Sequence, residues 1–282
     1  MPAFTLLGHP VSHSVSPAMH NAAADALGLD YHYSATDVAP EDLPAALERL
    51  RSGEWDGANV TIPHKQSVLP LLEELGQTAA ALGAANTLVR DGDRLRGENT
   101  DVPGFLAEID SFGVELVGRP ALVFGAGGSA RAVAFALLQR GAEVRILARN
   151  LPAATQLARE LHRATGGRLL NFEWTPTDIG DASQGCVLAV NCTPLGMTPQ
   201  PQNTPWFPVV PFPPKMLLYD LVYNPPETML VRQARSHGLR AAGGLGMLVQ
   251  QGALSFARWT GCQPPVEAMH AAAKKALKCL DS

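Results

Sequence analysis

Hydroxyl, amide, ammonium and carboxylate side chains gather in short segments of the N-terminal region: Ser14 and Ser16; Asn59, Thr61, His64 and Lys65; Asn86; and Asn99, Thr100 and Asp101. Each segment falls where a short apolar run should end, and open α/β sheets bind ligands at the carboxyl ends of their strands. Serine, threonine, asparagine and lysine together suit a ligand with several hydroxyls and one carboxylate. Bland readings stand beside this one. A lone lysine after Pro63-His64 is as a rule a surface residue. Asp101 is placed to cap a helix, Asn59 and Asn86 fit turns, and Gln251 sits among apolar helix neighbours as a core polar group would. His64 has the ring of an acid–base catalyst but reads as a residue that fixes its loop. His9 and His13 have i, i+4 spacing, yet Pro10 between them argues against a helix, so no metal site is expected.

A second chemistry sits at Gly125-Ala126-Gly127-x-x-Ala130. The first glycine permits a tight strand-to-helix turn, the second lets a backbone approach a pyrophosphate, and the small third residue lets helix and strand pack closely. Free N–H groups at the helix start then face the phosphates. Gly125, Ala126, Gly127, Gly128 and Ser129 are therefore candidate cofactor contacts, although a plain structural turn has the same letters. The context favours the nucleotide, because an apolar strand precedes the motif and a helix and second strand follow. That second strand ends in Ala148-Arg149-Asn150, with no acid for a ribose hydroxyl. A guanidinium pairs with a 2′-phosphate through two parallel hydrogen bonds, so Arg149 points to NADP over NAD. Arg131 and Arg145 are weaker candidates for the same task.

These groups need a frame, and the alternation of strand-like and helical runs predicts an α/β protein. In the first region strands are expected over 3–8, 31–37 and 57–62, with a hairpin of 87–89 and 94–97 around Asp91-Gly92-Asp93. A helix is expected from Ser16-Pro17 with serine as its cap, another over 40–52, a loop at Pro63-His64-Lys65, and helical stretches from there to Leu82. The second region is expected to place strands at 120–124, 143–147, 169–172, 187–191 and 216–221. Helices are expected after the glycine turn to Arg140 and over 153–165, 228–237, 245–259 and 265–280, with a proline-rich surface loop over 198–214.

Composition excludes several classes. Apolar residues make up 46% of the 282 residues, enough for two cores, and charged residues 17%, so disorder is not expected. A net charge of −4 argues against a binder of nucleic-acid backbone. Cys186, Cys192, Cys262 and Cys279 form no C-x-x-C pair and read as free thiols in a reducing compartment. No apolar stretch reaches about 18 residues, so no membrane span is expected. The start of the chain carries no basic segment followed by a long apolar run, so no secretory signal is expected, and the cytoplasm is the expected location.

Longer segments bring these residues together. Gly8-His9-Pro10-Val11-Ser12-His13-Ser14-Val15-Ser16-Pro17 with His20-Asn21, and Asn59-Val60-Thr61-Ile62-Pro63-His64-Lys65, resemble the opening signature and the catalytic loop of the shikimate dehydrogenase family. Gly83-Ala84-Ala85-Asn86-Thr87, Gly97-Glu98-Asn99-Thr100-Asp101-Val102-Pro103-Gly104, Asn191-Cys192-Thr193-Pro194-Leu195-Gly196-Met197, Asp220-Leu221-Val222-Tyr223-Asn224-Pro225 and 243–251 are similar to further segments of that family, in family order. The resemblance implies an enzyme that reversibly reduces 3-dehydroshikimate to shikimate with NADPH, in aromatic amino acid biosynthesis. It implies that Lys65 and Asp101 are the catalytic pair, and that Ser14, Ser16, Asn59, Thr61, Asn86, Tyr223 and Gln251 surround the substrate with them. An ammonium so placed donates a proton to a ketone oxygen and stabilises the developing charge. The resemblance further implies that the glycine turn holds the pyrophosphate, Arg149 the 2′-phosphate, and Leu221 and Gly244 the nicotinamide.

The expected architecture is a substrate-binding and catalytic α/β domain over 1–102, a Rossmann-type NADP domain over 103–242, and helices over 243–282 returning to the first domain so that Gln251 reaches the substrate. A cleft is expected between the two domains. The expected partner is a small molecule, with no nucleic acid, membrane or metal, in a monomer or homodimer. Two departures from the family stand out: Gln77 replaces a common acid, and Ala148-Arg149-Asn150 lacks the leading asparagine and the hydroxyl of many relatives. Two other readings stay open at this point, a quinate/shikimate dehydrogenase that accepts NAD and a non-enzymatic NADP-binding regulator.

Overall fold

The computed structural model describes residues 1–280. The first of its two compact units comprises Met1–Gly104 and the segment from Leu248 onward, and the second is Phe105–Met247. The first half of the chain forms β1 (Ala3–Gly8), α1 (Ser16–Leu27), β2 (His32–Asp37), α2 (Leu43–Arg51), β3 (Gly57–Val60), α3 (His64–Ser67), β4 (Glu74–Leu75), α4 (Gln77–Leu82), β5 (Thr87–Asp91), β6 (Arg94–Glu98) and α5 (Asp101–Ser111).

The six strands make one sheet in the order β2-β1-β3-β5-β6-β4. β1 runs parallel to β2 and β3, with Gly8 beside Asp37 and Leu7 beside Val60. β5 reverses direction, pairing Asn59 with Thr87, and β6 reverses again, pairing Thr87 with Glu98. The ends of β1, β3 and β6 and the start of β5 therefore share one sheet edge, which is where the polar segments lie. On one side of the sheet Leu7, Ala58, Val60, Leu88 and Leu95 pack with Leu43, Leu47 and Leu50 of α2 in a buried cluster.

Several local expectations are corrected. Pro63-His64-Lys65 is not all loop, because α3 starts at His64 and closes one turn with Val68 N–H on His64 O at 2.9 Å. The stretch to Leu82 is not continuously helical, because Glu74 and Leu75 pair with Arg96 and Gly97. Ser16 is the first helical residue of α1 and not its cap; its N–H is taken by Ser14 Oγ at 3.2 Å.

The second unit contains β7 (Pro120–Phe124), α6 (Gly128–Gln139), β8 (Glu143–Ala148), α7 (Leu151–Thr165), β9 (Leu169–Glu173), α8 (Pro176–Ser183), β10 (Leu188–Asn191), β11 (Leu217–Asp220), α9 (Met229–Ser236) and β12 (Ala241–Gly243). Its sheet is parallel throughout, in the order β12-β11-β10-β7-β8-β9, so the order reverses between β7 and β10. A crevice beyond the strand ends at such a switch point is the usual nucleotide site of doubly wound sheets. α8 and β12 went unforeseen. The signals for α8 were Thr175, Pro176 and Asp178, since Thr175 Oγ1 accepts the Asp178 N–H at 3.1 Å in an N-cap. The proline-rich loop is not wholly on the surface: Trp206 is 1% exposed in the core, with its indole N–H on Val210 O at 2.8 Å.

The chain ends with α10 (Leu245–Thr260) and α11 (Val266–Leu280). In the first unit Trp259 of α10 fills the space over Gly57, where a Cβ would fall 2.5 Å from its indole nitrogen, and donates to Leu88 O at 3.0 Å. It also stacks on Phe4, and α11 lies along α1. All four cysteines are free thiols.

Candidate active site

The short helix α3 after β3 carries Lys65, the residue before β5 is Asn86, and α5 after β6 starts with Asp101. Their placement follows from the sheet edge they share, and their side chains meet. Lys65 Nζ donates to Asp101 Oδ2 at 2.7 Å, with side chains 16% and 7% exposed. Asn86 Nδ2 donates to the other carboxylate oxygen at 3.0 Å and lies 3.2 Å from Gln251 Oε1. The Gln251 amide is oriented by Nε2, which donates to Leu248 O at 2.7 Å. Asp101 is not the cap of α5 but its first residue, and the Val102 N–H goes to Asn99 Oδ1 at 3.2 Å. The carboxylate is left to the lysine and the asparagine.

Ser14 lies half-buried on the loop after β1, and Ser16 is buried at the start of α1. Thr61 is half-buried just beyond β3, and its methyl packs on Gly8 so closely that a Cβ there would come within 2.3 Å. Asn59 and Asn86 are the exceptions among the expected substrate contacts, because the Asn86 amide is taken up by Thr87, Thr100, Asp101 and Gln251 and the Asn59 amide is nearly so. Asn59 Oδ1 accepts from Tyr33 OH at 2.7 Å, and its Nδ2 faces Asn86 O, Thr87 Oγ1 and Ser255 Oγ at 3.0, 3.1 and 2.9 Å. Only one lone pair of Oδ1 is left for a ligand. His64 is fully buried and its Nε2 donates to Val38 O at 2.7 Å, a contact that fixes its loop. Tyr33, Thr87 and Ser255 were not anticipated; Ser255 gave one signal, lying one helical turn after Gln251 on the same apolar helix.

In the second unit Gly125 adopts φ +107, open to glycine and not to a side chain, and Gly127 caps α6 without any side-chain acceptor. A Cβ at Gly127 or Gly128 would meet no described atom within 4 Å. Packing within the chain therefore does not demand glycine at either position. The bare backbone and the unpaired N–H groups of the first helical turn fit an approaching pyrophosphate. The three arginines separate cleanly. Arg131 pairs with Glu160, and Arg145 pairs with Glu143 at 2.9 Å and donates to Ala182 O and Gln184 O. Arg149 is exposed at the end of β8 and makes no ion pair among the described residues. Asn150 beside it commits its side chain to capping α7, on Ala153 N at 3.0 Å.

Leu221 and Gly244 touch: a Cβ on Gly244 would fall 2.1 Å from Leu221 O, so glycine is obligatory there. Tyr223 belongs to this unit, half-buried on the loop after β11, with burial holding its phenol above the usual range. A buried network that the sequence reading assigned no role fixes these loops. Asn191 and Asp220, paired residues at the ends of β10 and β11, are joined by Nδ2–H···Oδ1 at 2.8 Å. Asn191 Oδ1 accepts from Thr193 N and Oγ1, and Asp220 accepts from Val222 N at 3.0 Å and Thr228 Oγ1 at 2.6 Å. Burial raises the Asp220 carboxyl to about 6 despite the hydrogen bonds from Thr228, Val222 and Asn191 that pull it down.

Known proteins match this arrangement. Residues 6–88 match the profile described as the shikimate dehydrogenase substrate binding domain, and residues 244–274 that of the shikimate 5'-dehydrogenase C-terminal domain. A shikimate dehydrogenase (NADP(+)) of Symbiobacterium thermophilum is 46% identical over 275 residues, 97% of this chain and 94% of that protein. The crystal structure of a Thermus thermophilus shikimate 5-dehydrogenase with NADP(H) and shikimate is 40% identical, with a TM-score of 0.87 over 98% of this chain and 100% of the other. A quinate dehydrogenase of Corynebacterium glutamicum in complex with NAD is 31% identical, with a TM-score of 0.89 over 97% and 99% of the two chains.

Proposed function

We propose, starting from the fact that this chain belongs to the shikimate dehydrogenase family, that it catalyses the reversible reduction of 3-dehydroshikimate to shikimate with NADPH, in aromatic amino acid biosynthesis. The observation that carries the reading is the Lys65–Asp101 contact of 2.7 Å, with Asn86 on the second carboxylate oxygen.

The unit that contains this pair binds the ring acid. Ser14, Ser16, Thr61, Gln251 and the remaining lone pair of Asn59 offer donors and acceptors for its hydroxyls and carboxylate, and Asn86 beside them holds Asp101. The chemistry that bound NADPH supplies is a hydride to the carbonyl carbon. Lys65 donates the proton that the carbonyl oxygen needs, and its ammonium stabilises the charge that develops there. Asp101 holds that ammonium in place through Oδ2. In the oxidative direction the same lysine, as a free amine, takes the hydroxyl proton.

The second unit holds the dinucleotide. Gly125, Ala126, Gly127, Gly128 and Ser129 cradle the pyrophosphate, Arg149 reads the 2′-phosphate, and Leu221 and Gly244 line the nicotinamide position. Asn150 brings no hydroxyl to the phosphate, so Arg149 carries most of the preference for NADP over NAD.

The test is an assay at the nicotinamide absorbance band, with shikimate or quinate crossed against NADP or NAD. Shikimate with NADP should be turned over fastest. Equal or faster turnover of quinate with NAD would replace this reading with that of a quinate dehydrogenase.

A further inference from the structure

Behind the Lys65–Asp101 pair lies a knot of buried polar side chains centred on Ser255. Its hydroxyl is 0% exposed. A serine inside a helix commonly returns its hydroxyl to the carbonyl one turn back, and Ser255 Oγ does lie 3.1 Å from Gln251 O. Its single proton cannot serve both Gln251 O and a threonine; because Thr87 spends its own proton on Asn86 Oδ1, the 2.8 Å contact with Thr87 Oγ1 of β5 has Ser255 as donor, while Ser255 Oγ accepts the Asn59 amide at 2.9 Å from β3 and the Thr100 hydroxyl at 3.2 Å. One helical hydroxyl therefore joins three segments of the sheet edge.

The same two threonines hold Asn86. Thr100 N–H, which can only donate, lies 2.7 Å from Asn86 Oδ1, and that sets which end of the amide is oxygen. Thr87 Oγ1 donates to this oxygen at 3.1 Å, and Thr100 Oγ1 lies 2.9 Å from Asn86 Nδ2. The amide nitrogen is then turned to Asp101 Oδ1, and the carboxylate presents Oδ2 to Lys65. We propose that Ser255 is a positioning residue for proton transfer: by anchoring Thr87 and Thr100 it keeps the Asn86 amide, and through it Asp101, aligned on Lys65. The inference rests on the dehydrogenase reading above.

The experiment compares kcat and KM for shikimate and NADP in the full chain, wild type and Ser255→Ala, each with and without Asn86→Ala. Ser255→Ala should lower kcat about tenfold, as expected for loss of one member of a buried network, with the KM for NADP unchanged. A serine acting through Asn86 adds nothing once Asn86 is gone, so the double variant should turn over at the rate of Asn86→Ala alone. Thr87→Val, which removes the neighbouring hydroxyl at nearly constant volume, should behave in the same way and serves if Ser255→Ala does not fold. Unchanged kcat in Ser255→Ala, or losses that multiply in the double variant, would overturn the inference while leaving the dehydrogenase reading intact. A wild-type chain that fails to oxidise shikimate with NADP would overturn that reading, and this inference with it.

Discussion

Asp101 illustrates how a side chain comes to serve chemistry. Its position at the start of α5 suits a cap, but Asn99 takes that task, and the carboxylate is spent on Lys65 and Asn86. A positioned general acid contributes about 10²–10⁴ in rate, so Lys65→Ala should lower kcat by at least about 100-fold and change the KM for shikimate little. Steady-state kinetics with saturating NADP check this; near-normal turnover would remove the lysine from the mechanism. Arg149 was legible because an arginine stood where an acid would select NAD. That Arg131 and Arg145 are engaged elsewhere was not, because Glu160 for Arg131 and the Ala182 and Gln184 carbonyls for Arg145 come from other segments of the chain. A hydrogen bond to a charged group contributes about 1.5–3 kcal/mol, so Arg149→Ala should raise the KM for NADP about 10- to 100-fold. The KM for NAD should barely move, and equal effects on both would show that the 2′-phosphate is read by other groups.

Elements were more legible where the pattern was long. The amphipathic α7, with Ala154, Leu157 and Leu161 buried and Gly166 at its end, stood out by period and cap. The short pieces α3, β4 and α8 did not, since one turn or one pair of residues carries no period. At the ends of β10 and β11 the elements are tied by a carboxyl whose folded-state value is about 6, against about 3.9 in an unfolded chain. The native state thus binds the Asp220 proton more tightly. The stabilising contribution is full below the unfolded value and is lost as pH rises through about 6, amounting to about 3 kcal/mol. Denaturant titrations at pH 4 and 7.5 should show the stability of the wild type, relative to Asp220→Asn, falling over that interval. A constant difference would mean that the carboxyl titrates normally.

At the scale of the molecule, each unit is closed by contacts distant in sequence. In the first, α10 and α11 complete the packing around β1 and α1, and His20 is sealed beneath them. His20 is stacked on Tyr33 at 4.1 Å, bonded to Tyr31 OH at 3.1 Å and fully buried. Desolvation lowers its pKa from 6.5 to about 3. The sign is opposite to that of Asp220: the neutral ring's contribution is present above 6.5 and is lost as pH falls toward about 3. Between pH 7 and 5 this removes about 2 kcal/mol. The wild type should lose that much more stability than His20→Phe over the interval, as measured by urea unfolding; equal losses would show an imidazole that titrates as in water.

The sequence by itself determined the α/β class, the glycine turn, the candidate pair Lys65 and Asp101, and the family, because these are written in local period, in turn chemistry and in contiguous motifs. Tertiary structure alone decided which donors and acceptors are consumed within the protein. Asn59 is largely committed to Tyr33, Thr87 and Ser255, Asn86 is turned toward Asp101, and Arg149 makes no ion pair among the described residues while its two rivals do. A side chain's type states what it can bond, but a hydrogen bond requires about 3 Å of approach. Partners as far apart in the chain as Asn59 and Ser255 reach that distance only once the sheet and its covering helix have packed.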